Sequence, residues 1–152
     1  MIVDDESLAL SRLKRLLNEN GIEDITAFDN PIEALKEITK TKFDAVFLDI
    51  SMPNITGLEL ADSIIQLEPK TFIIFQTAYS EFALEAYKSG GMGYLVKPIE
   101  SRDIKNILEK VRNFKSSLNE ESKKILGKRG DKLYLIDIND IYYIKADLDE
   151  VI

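Results

Sequence analysis

The 152-residue chain contains no cysteine and no histidine. Without cysteine there is no disulfide and no thiolate to act as nucleophile or metal ligand. Without histidine, Ser-His-Asp and Cys-His catalysis and the usual zinc sites are excluded. Long apolar runs are also missing. Stretches such as "TFIIF" are far too short to cross a bilayer, so no membrane partner is expected. No basic stretch followed by an apolar one opens the chain, so no signal peptide is expected and the chain reads as a soluble cytoplasmic protein. Net positive charge is lacking as well. At −7 the chain is acidic, which argues against indiscriminate binding to nucleic acid. What remains for chemistry is carboxylates, hydroxyls, lysine and a hard cation.

What is present suits a packed fold. Apolar residues make up 45% of the chain, and the length fits one ordinary domain with some residues left over. Short apolar strands alternate with amphipathic helices. "MIV" reads as the end of a buried strand. The following helix carries Leu10, Leu13, Leu16 and Leu17 at helical spacing, with Gly21 as its C-terminal cap. "IEDITAF" alternates like a strand. The next helix has Asn30 as N-cap, Pro31 at its first position and Glu33 placed for a capping box. "FDAVFLDI", "TFIIFQT" and "GYLV" are three further strands. "LELADSIIQL", "SEFALEAYKS" and "SRDIKNILEKVRNF" are the helices after them, the last with Ile104, Ile107, Leu108, Val111 and Phe114 on one stripe. Pro53 and Gly57 read as turn residues. A β-α unit repeated five times predicts a parallel sheet covered on both faces.

In such sheets ligands sit beyond the C-terminal strand ends, at the switch point of strand order. Chemically useful groups follow four of the five strands: Asp4 and Asp5 the first, Asp49 the third, Thr77 the fourth and Lys97 the fifth. Carboxylates crowded together repel, and a divalent cation relieves that cost. Mg²⁺ takes oxygen ligands and keeps several waters. Asp5 and Asp49 can supply two oxygens and the Ser51 backbone carbonyl a third. Lys97 aimed at the same place points to a visiting anion, and a phosphoryl group on Asp49 suits it, with Thr77 as a hydrogen-bond donor. Taken singly, each residue has a plainer reading. The three acids Asp4, Asp5 and Glu6 suit the first turn of a helix, Asp49 suits a loop cap, and Lys97 suits a solvated surface. The joint pattern is what favours a site.

The stretches "VDDE", "VFLDISMPNITG", "FQTA" and "GYLVKP" closely resemble the receiver domain of bacterial two-component response regulators, over residues 1–115 or so. The resemblance implies a flavodoxin-like fold, a five-stranded parallel sheet of order 2-1-3-4-5. It implies that Asp49 accepts a phosphoryl group from the phosphohistidine of a sensor histidine kinase. It implies that Asp5 binds Mg²⁺ directly and Asp4 mainly through water, that Thr77 and Tyr94 form a switch pair, and that Lys97 contacts the phosphoryl. A cis peptide before Pro98 and a homodimer formed on phosphorylation also follow from it. The receiver is expected to promote its own phosphorylation and dephosphorylation, acting as a switch more than as an enzyme. Receivers carry several more residues before the acidic pair than the three found here, so the first strand is expected to be short or trimmed.

After Lys115 the composition changes. Residues 116–123 read as a linker or a helix extension. Residues 124–152 read as β-rich, with Gly130-Asp131 as a hairpin turn and Tyr134, Ile136, Ile141, Tyr143 and Ile144 as candidate core residues. "DKLYLIDINDIYYIKAD" resembles the start of a LytTR-type DNA-binding domain. That family's domain is about three times longer and its main DNA-contacting loops come later, so DNA binding is expected only of a fuller protein. Three rivals remain. An aspartyl-phosphate phosphatase of haloacid dehalogenase type needs an aspartate where Ser51 stands. A flavodoxin-like carrier needs a phosphate loop that "DDES" would repel. A phosphate-independent interaction module leaves the set of Asp4, Asp5, Asp49, Thr77 and Lys97 without purpose.

Overall fold

The computed structural model describes residues 1–121, 124–129 and 132–138. The chain divides into two compact units, Met1–Phe114 and Lys115–Ile152. In the first, the elements alternate: β1 (Ile2–Val3), α1 (Ser7–Glu19), β2 (Ala27–Phe28), α2 (Pro31–Ile38), β3 (Ala45–Asp49), α3 (Gly57–Leu67), β4 (Phe72–Thr77), α4 (Ala83–Lys88), β5 (Gly93–Val96) and α5 (Ser101–Glu121). The five strands form a parallel sheet of order β2-β1-β3-β4-β5, as expected.

Alternation along the strands sorts the core into two layers, although the strands are apolar almost throughout. Val3, Val46, Leu48, Ile73 and Phe75 pack with α2 and α3 residues such as Ala34, Leu60 and Ile64. Ile2, Phe47, Phe72 and Ile74 pack on the opposite face with Leu13 and Leu17 of α1 and Ile104 and Ile107 of α5. The inner strand β4, between β3 and β5, is buried along its whole length. Each side chain of this size contributes about 1.5–3 kcal/mol by leaving water. The stripe on α5 is buried from Ile104 to Leu108 and half-buried at Val111 and Phe114, whose ring meets Phe72 edge-on at 5.3 Å.

The local expectations were met unevenly. Gly21 ends α1 at φ +84°, and its N–H donates to the Asn18 carbonyl, a left-handed position that glycine takes without strain. Asn30 caps α2 by accepting from the backbone of Ile32 and Glu33. Glu33, however, pairs with Lys36 at 2.8 Å instead of completing a capping box. The reciprocal box forms on α3, where Thr56 accepts from the Glu59 N–H and Glu59 accepts from the Thr56 N–H. "IEDITAF" yields only the two-residue β2, because an edge strand pairs only as far as its partner, and β1 is itself two residues long. "SEFALEAYKS" splits into a 3-10 turn, Ser80–Phe82, and the six-residue α4.

In the second unit, α5 continues to Glu121, and β6 (Lys124–Arg129) pairs antiparallel with β7 (Lys132–Asp137) from Lys124↔Asp137 to Arg129↔Lys132. That register leaves two residues for the connection, Gly130-Asp131, which lie outside the described residues, as do Ile141, Tyr143 and Ile144. Tyr134 and Ile136 are not core: both are exposed. A two-stranded ribbon by itself has one layer, and burial needs a second.

Candidate functional site

The C-terminal ends of β1, β3, β4 and β5 meet at one edge of the sheet. The chain leaves β1 for β2 on one side and returns to β3 on the other, so the crevice between β1 and β3 lies at the switch point. There Asp4 follows β1 and Asp49 ends β3. Asp4, Asp5 and Asp49 each offer a carboxylate oxygen within 4.8 Å of the others. A cavity of about 190 Å³ opens over them, lined also by Glu6, Ser51, Tyr79 and Lys97.

Lys97 reaches in from the end of β5. Its Nζ donates to Asp4 Oδ2 and to Asp49 Oδ1, both at 2.7 Å. The remaining oxygens are held by backbone: Glu6 N–H donates to Asp4 Oδ1 at 3.0 Å, and Ser51 N–H donates to Asp49 Oδ2 at 2.9 Å. The cis peptide expected before Pro98 is present. Burial pushes the Asp49 carboxyl above the usual aspartate value, and the neighbouring Asp4 adds to this. Together they outweigh the lowering by Lys97 and by the Ser51 N–H. Burial works against the Lys97 ammonium, but Asp4 and Asp49 outweigh it and hold that group above the ordinary lysine value.

The plainer readings divide. The acids do not lie in the first turn of α1: Glu6 takes the N-cap position without a side-chain capping bond, and Asp4 and Asp5 precede it. Lys97 is paired rather than solvated. The loop-cap reading of Asp49 does hold in part, because its Oδ2 takes the Ser51 N–H. Ser51 borders the cavity. Thr77 is buried, and its hydroxyl accepts the Tyr79 N–H at 3.2 Å. Tyr94 donates its hydroxyl to the Tyr79 carbonyl, so the expected switch pair grips one residue from both sides. Burial, with the nearby Glu81 carboxylate, raises the Tyr94 phenol above its ordinary value.

Two residues of the site were not anticipated. Gly57, expected only as a turn residue, starts α3 directly against β3. A Cβ there would lie 2.1 Å from the Asp49 carbonyl oxygen, and its N–H donates to the Ile50 carbonyl at 3.0 Å. Gln76, in β4, is buried and donates from Nε2 to Asp4 Oδ2 at 3.2 Å. Its signal shows only once the strand is placed against its neighbours: it is the polar residue on the buried face that Phe72 and Ile74 share.

The donor set fits a hard divalent cation. It offers three carboxylates and no sulfur or imidazole, and Asp5 is exposed, so waters can complete the shell. Among the described residues no helix is long and apolar enough to cross a membrane.

Comparison with known proteins agrees with this arrangement. The chain is 38% identical, over 163 aligned positions, to an uncharacterized response regulatory protein of Shewanella oneidensis; the alignment covers 99% of this chain and 66% of that protein. It is 32% identical to the transcriptional regulatory protein BtsR of Salmonella typhi, with the same two coverages. The chain therefore spans about two thirds of the length of these curated relatives. Its fold superposes with a TM-score of 0.67 on a crystal structure of response regulator protein TrrA from Thermotoga maritima in complex with Mg(2+)-BeF. That protein is 36% identical, and the match covers 72% of this chain and 95% of that one. The sequence pattern of the response regulator receiver domain matches residues 1–109, and with the fold and the acidic strand ends it shows that the chain belongs to the receiver domain family of two-component response regulators.

Proposed function

We propose that this chain is a phospho-acceptor switch, in which Asp49 receives a phosphoryl group from the phosphohistidine of a sensor histidine kinase. The observation that carries the reading is Lys97 Nζ, 2.7 Å from both Asp49 Oδ1 and Asp4 Oδ2, beside three carboxylates within 4.8 Å of one another. An ammonium shared between two acids can leave one of them for an arriving anion at little cost. Asp49 Oδ1 attacks phosphorus, the O–P bond forms as the P–N bond breaks, and the imidazole keeps the electron pair. Lys97 then exchanges a carboxylate partner for a phosphoryl oxygen. Phosphoryl transfer of this kind needs positioning and charge stabilisation more than other protein chemistry.

Mg²⁺ is the cofactor of this reading and supplies charge neutralisation and oxygen templating when bound. Asp5 and Asp49 would hold it directly, the Ser51 carbonyl would serve as a further ligand, and Asp4 would act through water. Thr77 then turns its hydroxyl from the Tyr79 N–H towards the phosphoryl, and Tyr94 follows by way of the same residue. Tyr79, Tyr87 and Val96 are exposed around this path and supply an apolar surface for a homodimer formed on phosphorylation. The same site would catalyse its own dephosphorylation, so the chain acts as a switch more than as a metabolic enzyme. The tail resembles the start of a LytTR-type DNA-binding domain, and a relative is named a transcriptional regulatory protein. Both support a transcriptional output exerted on DNA by the whole protein, in the cytoplasm.

The test is incubation with acetyl phosphate and Mg²⁺, read by intact mass. Wild type should gain one phosphoryl group. Asp49→Asn should gain none, and Asp5→Asn should need a higher Mg²⁺ concentration, about tenfold or more. Equal labelling of all three proteins would refute the reading.

A further inference from the structure

Gln76 is a carboxamide in an otherwise apolar buried strand. The alternation of β4 places it on the same face as Phe72 and Ile74. A buried carboxamide without a partner costs several kcal/mol by the scale of transfer to an apolar medium. Here the amide has a charged acceptor: Nε2 donates to Asp4 Oδ2 at 3.2 Å. A carboxylate only accepts, so the NH₂ end must be the one that faces it. The backbone of the same residue serves the other acid. Gln76 lies in register with Asp49, and its carbonyl accepts the Ile50 N–H at 3.0 Å. One residue thus fixes the side chain of Asp4 and the chain immediately after Asp49.

Asp4 Oδ2 has two donors, Gln76 Nε2 and Lys97 Nζ. If Lys97 follows an arriving phosphoryl group, Oδ2 keeps only Gln76, while Oδ1 keeps the Glu6 N–H. Two neutral donors, one on each oxygen, would then hold the carboxylate plane. A cation in place of Gln76 would hold Asp4 too, but would compete with a metal for its charge. An apolar residue would leave one oxygen without a donor.

We propose that Gln76 is a positioning residue for the acidic site: it orients the Asp4 carboxylate towards a bound divalent cation without neutralising it. The inference rests on the reading of the site as a Mg²⁺-dependent phospho-acceptor. Its effect is exerted through Asp4, so it belongs to metal affinity before it belongs to transfer rate.

The experiment is a Mg²⁺ titration of the full chain followed by amide chemical shifts, on wild type, Gln76→Leu, Asp4→Ala and the double variant. Gln76→Leu should bind Mg²⁺ about tenfold more weakly, the lower end of the loss expected when a group outside the direct ligands is removed. In the Asp4→Ala background the same change should have no further effect. Gln76→Met, which keeps the side-chain length without a donor, carries the same reading should Gln76→Leu fail to fold. An affinity within twofold of wild type in the apolar variants, or an equal loss with Asp4 removed, would overturn the proposal while leaving the phospho-acceptor reading standing. Failure of wild type itself to bind Mg²⁺ would overturn both.

Discussion

Lys97 is held between two carboxylates, and this decides how the site behaves with pH in metal-free buffer. The ammonium satisfies Asp4 and Asp49 at once, yet Asp49 remains harder to ionise than a free aspartate because it is buried next to Asp4. With its folded pKa above the unfolded one, Asp49 binds more protons in the folded state across the interval between those values. Stability therefore falls as pH rises through that interval. Asp49→Asn removes this titration. The variant should gain stability relative to wild type as pH rises from the ordinary carboxylate range towards neutrality, in metal-free buffer. Thermal melts of both proteins across that range check the sign, and a difference that does not change with pH would contradict it. At this scale most of the site was legible. Asp4, Asp5, Asp49, Thr77 and Lys97 each follow a strand, and strand ends are readable from apolar runs. Gln76 stayed hidden because a continuous apolar strand does not show which face each residue takes until its neighbours are placed.

Elements position these groups by packing closely at one edge. α3 begins at Gly57 against the end of β3, with space for no side chain between the two backbones. Gly57→Ala would force α3 or the Asp49 loop to shift. It should cost about 1–3 kcal/mol of stability, the range for overpacking, and should slow phosphorylation by acetyl phosphate as well. Urea unfolding measures the first effect. A substitution that leaves both stability and labelling unchanged would show that the contact is slack. This constraint could not be read from sequence, since Gly57 looks like any turn glycine until β3 is laid beside it. The α3 cap was missed although Thr56 and Glu59 carry the capping-box spacing, because the box was expected on α2 at Glu33. The short β2 was not, because its length is set by β1 rather than by its own alternation. The split of "SEFALEAYKS" into a 3-10 turn and a short helix likewise follows from the grip of Thr77 and Tyr94 on Tyr79 just before it.

The whole molecule combines an acidic receiver with a ribbon whose Leu126, Leu133 and Tyr134 are exposed. Its net charge of −7 gives little counterion release on meeting DNA, so output by this chain alone is expected to run through protein contacts. Phosphorylation should alter the surface around α4 and β5, since differential contacts in two states are what make a switch. Beryllofluoride with Mg²⁺, a mimic of the phosphoryl group, should change amide exchange there and raise the sedimentation coefficient towards that of a dimer; no change in either would remove the proposed dimer. All of this depends on one covalent event at one carboxylate. The most direct measurement is to treat the chain with acetyl phosphate and Mg²⁺, trap the acyl phosphate with borohydride, and locate the reduced residue by peptide mass spectrometry. A single trapped position, Asp49, is expected, lost when Mg²⁺ is chelated. Trapping at Asp4 or Asp5, or no trapped residue in folded protein, would contradict it.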